Sequence, residues 1–290
     1  MTNDAFAGNR DNFCYRHPDR QSFVLCQRCL RTICPECQTQ AAVGVVCPEC
    51  MAEQRKSQTP AQKKAQRRWR SGTPVVAVSG GRPTVTYTII AICAAVYVLS
   101  LGLPAIQGWL GFSAGYLYPQ LTGAFEPWRL LTGTLVHSSL WHVGLNMLAL
   151  WMLGRGLEPL LGHMRFLALY LIGALGGSVA VALLAPNSFV VGASGAIFGL
   201  FGALVVIGRH IGAEITGILI ILAINFAIGF LPGMTISWQA HLGGLVAGAV
   251  AGLIFARTRR PQQRRLQIGM LSGWSVVLLL LLLVPPVLYG

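Results

Sequence analysis

The sequence predicts an all-α protein that crosses a membrane several times and carries a small metal-binding domain at its N-terminal end. Three observations predict it. Of the 290 residues, 54% are hydrophobic and only 11% charged. Apolar stretches close to the roughly twenty residues that a bilayer requires recur from residue 84 onward. Ahead of them, seven of the eight cysteines and one histidine fall into four evenly built pairs within residues 14–50.

The pairs are Cys14-x2-His17, Cys26-x2-Cys29, Cys34-x2-Cys37 and Cys47-x2-Cys50. Structural zinc takes four Cys or His ligands in a tetrahedron, so two zinc ions account for all eight groups. A unit this small cannot hold itself together by apolar burial alone. Disulfides would need an oxidising compartment, and His17 fits an iron–sulfur cluster poorly. The spacing resembles B-box and RING-like zinc fingers, in which ligand pairs often interleave. Sequential and interleaved pairing both remain open at this level. Closed four-ligand sites imply a structural or docking role, so residues 1–54 are expected to form a zinc-binding domain that offers a surface to a cytosolic protein.

Residues 55–83 read as a basic flexible linker, with Lys63, Lys64, Arg67, Arg68 and Arg70 clustered before the membrane. The net charge of +13 is not spread evenly, because thirteen of the twenty-two Lys and Arg lie in residues 1–82. That distribution argues for a cytoplasmic N-terminal side in contact with anionic lipid rather than for nucleic-acid binding. No apolar stretch occurs in the first fifty residues, so no cleavable signal peptide is expected.

Seven spans are predicted, at about 84–103, 138–157, 165–185, 192–209, 214–231, 238–256 and 268–288. Arginines punctuate alternate gaps: Arg155 and Arg165, then Arg209, then Arg257, Arg259, Arg260, Arg264 and Arg265. This fits a cytoplasmic N-terminus. The 104–137 segment holds Trp109, Tyr116, Tyr118 and Trp128, and such amphipathic aromatics settle at a headgroup layer.

Polar residues inside the spans carry the chemistry. Ser194 stands among small residues in Gly192-Ala193-Ser194-Gly195, at the expected start of a helix whose free N–H groups and dipole would favour an oxyanion. Taken alone, Gly195-x3-Gly199 reads first as a helix-packing face, and G-x-S-G is not the G-x-S-x-G elbow of soluble hydrolases. His142 and Asn146 are four apart and share one helical face. His241 is the only ionisable group of the sixth span, ahead of Gly244-x3-Gly248. Spans two, four and six enter from the same side, and these four residues lie near their starts, within about two turns of the outer surface. The last Asp is Asp19, so a nucleophile here would work with a dyad and no aspartate.

These residues, together with Trp128-Arg129, Gly154-x3-Glu158-x3-Gly162 and Ala240-His241-x2-Gly244-x3-Gly248, resemble the rhomboid family of intramembrane serine proteases over residues 84–256. The resemblance implies a six-helix core, Ser194 as nucleophile and His241 as general base. It further implies an oxyanion hole made by His142, Asn146 and the Ser194 backbone N–H, with Glu158 bracing the cytoplasmic end and no catalytic cofactor. Residues 257–290 then form a basic loop and a seventh helix, as in the six-plus-one members. A multi-pass protein of the cell (plasma) membrane is expected, cutting transmembrane substrates near the outer face. Those substrates would enter past the fifth span and the 231–237 loop. The rival expectation is a catalytically silent scaffold that binds client helices, with the zinc domain as its docking site.

Overall fold

A computed structural model describes residues 10–40, 44–57, 59, 82–229 and 236–285. Its contacts divide the chain into two units, Met1–Ala65 and Gln66–Gly290. Most of the expected linker, residues 55–83, lies outside the described residues, as does Leu231-Pro232-Gly233.

In the first unit, β1 (Phe13–Cys14) pairs antiparallel with β2 (His17–Gln21), and β3 (Thr39–Gln40) with β4 (Val45–Val46). A helix, α1 (Pro48–Ser57), follows. The buried centre consists of six cysteines with Ile33 and Val46 as its only other members among the described residues. Two aliphatic side chains make a sparse core for such a unit, and cysteine sulfurs dominate its centre.

In the second unit a helix stands at each of the seven predicted places. They are α2 (Thr84–Gly102), α3 (Leu140–Leu161), α4 (His163–Leu184), α5 (Ser194–Ile211), α6 (Thr216–Gly229), α7 (Trp238–Arg257) and α8 (Arg264–Leu281). Among the described residues, five stretches are long and apolar enough to cross a bilayer: α2, α4, α5, α7 and Pro261–Leu281, which contains α8. Helix α3 has 22 residues but carries His142, Asn146, Arg155 and Glu158. Helix α6 is a shorter apolar helix of 14 residues.

Local chemistry sets the helix ends. The Ser139 hydroxyl accepts the His142 N–H at the start of α3, and the Ser237 hydroxyl accepts the Ala240 N–H at the start of α7. Both are N-cap bonds that satisfy an orphan amide of the first turn. Gly162, at φ +83°, lets the chain turn from α3 into α4.

Helices α4, α5 and α7 form the packed centre, and small residues allow it. A Cβ on Gly244 would run into the Gly195 carbonyl, and one on Gly248 into the Gly199 backbone. The backbones of α5 and α7 therefore touch directly, as small-residue faces permit in membranes.

Around this centre, polar staples fix the loops. The Glu158 carboxylate is fully buried and accepts the Val85 N–H at 2.9 Å, the Thr86 N–H at 2.8 Å and the Thr86 hydroxyl at 2.6 Å. It thus caps α2 from a neighbouring helix, an anion placed against a positive dipole end. Arg129, also buried, donates to the Gly108 and Gly111 carbonyls, pairs with Glu126 and lies 4.0 Å over the Tyr116 ring. That one guanidinium organises the loop before α3, while Trp128 beside it is half exposed. Helix α8 is tied in at three levels. Gln267 bridges Arg165 and Thr258, the Trp274 indole donates to the Ala247 carbonyl, and the Tyr118 hydroxyl donates to the Leu282 carbonyl at 2.8 Å.

Candidate active site and metal centres

Ser194 is the first residue of α5, and the strand-like segment before it is anchored on both sides. Phe112 and Val190 exchange backbone bonds at 2.9 and 2.7 Å, and the Gly192 N–H donates to the Gly133 carbonyl at 2.9 Å. Gly192 has φ +120°, which disfavours any side chain. A Cβ there would also stand 2.6 Å from His142 Nε2. The imidazole of His142 therefore packs against the backbone that leads into Ser194.

The tautomer of His142 follows from its other nitrogen. Nδ1 lies 3.4 Å from the Ser138 N–H, which can only donate, and 3.1 Å from the Ser138 hydroxyl. Nδ1 is thus the acceptor, and the neutral ring carries its proton on Nε2, the edge turned toward Gly192. Asn146 lies one turn further along α3. Its amide nitrogen gives one N–H to the His142 carbonyl at 2.8 Å, leaving the second, and Oδ1 has no partner among the described residues.

His241 occupies the first turn of α7 and is 6% exposed. Its ring stacks on Phe198 with centroids 4.0 Å apart and planes 8° from parallel. Phe198 is four residues after Ser194, so both project from one face of α5. The stack therefore brings His241 to the Ser194 face of that helix. Nδ1 of His241 has no hydrogen-bond partner among the described residues; aromatic stacking, not a carboxylate, sets the orientation of this imidazole. Phe226 of α6 closes edge-on against both rings, at 5.6 Å from Phe198 and 6.5 Å from His241. A cavity of about 30 Å³ borders Ser194, Gly192, Gly195, Ala240, Ser178 and Thr134. That exceeds the ~10–15 Å³ needed to seat one water.

Two members of this arrangement are absent from the sequence reading. His137 is fully buried; its Nε2 accepts the Ala193 N–H at 3.4 Å and its ring meets His142 edge-on at 5.1 Å. Phe198 reads from sequence as one more apolar residue. The signals were a second histidine five residues before His142 and an aromatic four residues after Ser194.

A family profile described as Rhomboid domain matches residues 124–258. YdcA, a rhomboid protein of Bacillus subtilis strain 168, is 35% identical over 189 residues, which are 63% of this chain and 92% of YdcA. The chain belongs to the rhomboid family. Rhomboid protease GluP of the same bacterium is 35% identical over 190 residues, 62% of this chain and 36% of GluP. RHOMBOID-like protein 1 of Arabidopsis thaliana is 39% identical over 144 residues, 47% of this chain and 36% of that protein. The match thus spans about a third of the length of these two longer rhomboid relatives. The rhomboid profile covers Trp128-Arg129, α3, α5 and α7, and therefore all the polar residues gathered here.

The N-terminal unit resolves the pairing that spacing left open. Cys14, His17, Cys34 and Cys37 form one cluster and Cys26, Cys29, Cys47 and Cys50 the other, with ligand atoms within 4.8 Å of one another. First joins third and second joins fourth, the interleaved pattern. His17 Nδ1 lies 3.3 and 3.4 Å from the Cys34 and Cys37 sulfurs, and the Cys29 and Cys47 sulfurs are 3.8 Å apart. A tetrahedral ion with Zn–S bonds of about 2.3 Å spaces its sulfurs by about 3.8 Å, so the donor set fits zinc in type and size. Burial pushes the Cys14 thiol up, but N–H groups of Cys34, Arg16 and His17 outweigh it and hold the group at about 6. Cys26 is held at about 6 in the same way, against burial, by N–H groups of Cys29, Cys47 and Arg28. Burial first, and neighbouring thiols second, push Cys37 up to about 11 and Cys50 to about 12. Each cluster thus offers a ready thiolate beside a thiol that must lose its proton to a metal.

Proposed function

We propose that this rhomboid is an intramembrane serine endopeptidase acting on transmembrane proteins near the outer face of the cell membrane. Ser194 is its nucleophile and His241 its general base. The observation that carries the reading is the stack of His241 on Phe198, which puts the one imidazole of α7 on the Ser194 face of α5.

The chemistry follows from the residues. Ser194 Oγ attacks the scissile carbonyl carbon while His241 takes the hydroxyl proton. The carbonyl oxygen becomes an oxyanion, and the donors at hand are the His142 Nε2–H, the remaining Asn146 N–H and the Ser194 backbone N–H. One such donor is typically worth about 3–4 kcal/mol in the barrier. The tetrahedral intermediate collapses, His241 gives its proton to the leaving amine, and an acyl-enzyme remains. Water, activated by His241 in the same way, hydrolyses the ester. A helical substrate hides its carbonyls in i→i−4 bonds, so it must unwind locally first, which favours clients with Gly or Pro near the cut.

Residues 84–256 form the catalytic core in this reading, with 257–290 as an appended loop and helix. Residues 1–54 are a cytoplasmic domain whose clusters take two Zn²⁺ ions, joined by the basic linker 55–83, and offer a surface to a cytosolic protein. Ser194→Ala and His241→Ala protein, reconstituted in lipid with a single-span test substrate, should show no cleavage. A serine-directed fluorophosphonate should label the wild type at Ser194. Normal turnover by Ser194→Ala protein would end the protease reading, and a folded wild type that never labels would favour a silent scaffold.

A further inference from the structure

Where α4 and α8 begin and α7 ends, three polar side chains meet. Arg165, in the first turn of α4, donates its Nε–H to Gln267 Oε1 at 2.7 Å. Gln267 Nε2 in turn donates to the Thr258 carbonyl and hydroxyl at 2.9 and 2.8 Å. Gln267 is buried, so this chain of bonds fixes where the Arg165 guanidinium stands. The other N–H groups of Arg165 have no partner among the described residues. Arg264 is the first residue of α8, one turn before Gln267 and on the same face. Its guanidinium is near enough for its like charge to act on Arg165.

Positive charge collects here with no anion to answer it. Neither arginine forms an ion pair among the described residues. The acids of the membrane unit are engaged elsewhere: Glu126 with Arg129, Glu158 with α2 and His163, and Glu214 with Thr216. Neither α4 nor α8 has an acidic residue in its first turn or a side-chain cap, so two positive dipole ends add to two guanidiniums. Arg257, Arg260 and Arg265 strengthen the same field. Both helices belong to stretches long and apolar enough to cross a bilayer, which puts their first turns at the level of lipid headgroups. Met164, Leu266 and Ile268 beside the arginines are exposed, an apolar surface suited to acyl chains.

We propose that Arg165 and Arg264 form a phosphate site that holds the headgroup of an anionic phospholipid against α4 and α8. Each guanidinium presents a planar fork of N–H donors that matches two phosphate oxygens, and Gln267 keeps the first fork in place. A phosphodiester between the two forks turns a repulsion into charge-assisted contacts and ties α8 to the packed centre. Basic pockets between membrane helices take such headgroups. A zwitterionic lipid offers the same phosphate but brings its own cation, so the uncompensated charge of the site selects the anionic lipid.

The test uses the full chain in nanodiscs of phosphatidylcholine, alone or mixed with phosphatidylglycerol. The anionic lipid should raise the melting temperature of the wild type by about 5 °C, and native mass spectrometry should find it retained on the protein. Arg165→Gln and Arg264→Gln should each weaken that retention about tenfold and flatten the rise. Arg155→Gln removes the same charge from a side chain that lies over the Trp151 ring, and should keep both. Arg264→Glu supplies the missing anion from within the chain. In phosphatidylcholine it should melt above the wild type, and it should no longer respond to phosphatidylglycerol. Millimolar inorganic phosphate in phosphatidylcholine discs should leave the wild type unmoved; a full rise there would overturn the lipid and make the ligand a soluble phosphate. An equal loss in Arg155→Gln would reduce the effect to net charge and overturn the site. So would an Arg264→Glu protein that still depends on phosphatidylglycerol, or a wild type that melts alike in both lipids.

Discussion

In the proposed dyad the stack between His241 and Phe198 takes the orienting place of a triad's carboxylate, so its removal should be felt in the chemistry rather than in binding. Phe198→Leu keeps an apolar side chain of similar bulk at a site only 4% exposed and deletes the parallel ring 4.0 Å from the imidazole. An aromatic pair is worth about 0.5–1.5 kcal/mol beyond the area it buries. At 1.36 kcal/mol per factor of ten, losing it should lower kcat about two- to thirteenfold. KM should stay within twofold, because Phe198 is buried against the imidazole and presents little surface to a substrate. The rate of fluorophosphonate labelling at Ser194 should fall by the same factor as kcat, since that reaction also needs His241 in place. Phe198→Tyr and Phe198→Trp, which keep a ring, should stay near the wild type. The assay is cleavage of a single-span test substrate in nanodiscs, run beside the labelling time course. If Phe198→Leu protein cleaves and labels as the wild type does, the stack does not orient the base, and the account of a dyad without a carboxylate is wrong.

Other expectations concern the frame and the metal. Gly248→Ala would drive a methyl group into the Gly199 backbone, and such overpacking should lower the unfolding free energy by about 1–3 kcal/mol, read as a fall in melting temperature in detergent. Glu158→Gln keeps the shape but removes the charge that three donors of α2 face; a loss of about 1.5–3 kcal/mol by the same assay is expected, and an unchanged melting temperature would deny Glu158 its capping role. Purified protein should carry about two Zn²⁺ per chain by elemental analysis, four ligands to each ion. Cys37 at about 11 and Cys50 at about 12 bind protons at neutral pH that the metal must displace. Zinc affinity should therefore rise with pH through the neutral range and fall on acidification, as a chelator competition series would show. Pairs of cysteine substitutions within one cluster should cost one ion, and loss of both from either pair would refute two separate sites.

The sequence carried the membrane frame and the polar set because each rests on local signals. Runs of apolar residues mark spans whatever their neighbours are, and Ser139 and Ser237 mark helix starts by a bond three residues long. Ser194, His142, Asn146 and His241 stand out because polar groups are costly in a span. What escaped depends on contacts distant in the chain. The Cys-x2-Cys spacing brings two sulfurs together but does not say which other pair joins them; long-range backbone bonds such as that from the Tyr15 N–H to the Thr32 carbonyl, which set the Cys34 segment beside His17, decide that. His137 falls just ahead of the predicted second span, and its Nε2 bonds to an amide 56 residues away. Phe198 reads as one more apolar residue because nothing in its own helix announces the ring that covers it. The 22-residue length of α3 was underestimated at its C-terminal end, where Glu158 continues the helix beyond the apolar run.

The direct backbone contact between Gly195 and Gly244 has a consequence for how this protein moves. At Gly195–Gly244 and Gly199–Gly248 no side chain stands between α5 and α7, so no rotamer change can widen the seam there, and the two helices are expected to open as one unit. Fluctuation is left to α6, which has one buried side chain and shares only ring edges with the site. Amide exchange should therefore divide the membrane unit sharply, with slow protons along α5 and α7 and fast ones along α6. In the protease reading proposed above, substrate admission and bond cleavage would then fall to different cooperative units of one fold, so that helix α6 could loosen many times while the seam of α5 and α7 keeps its geometry.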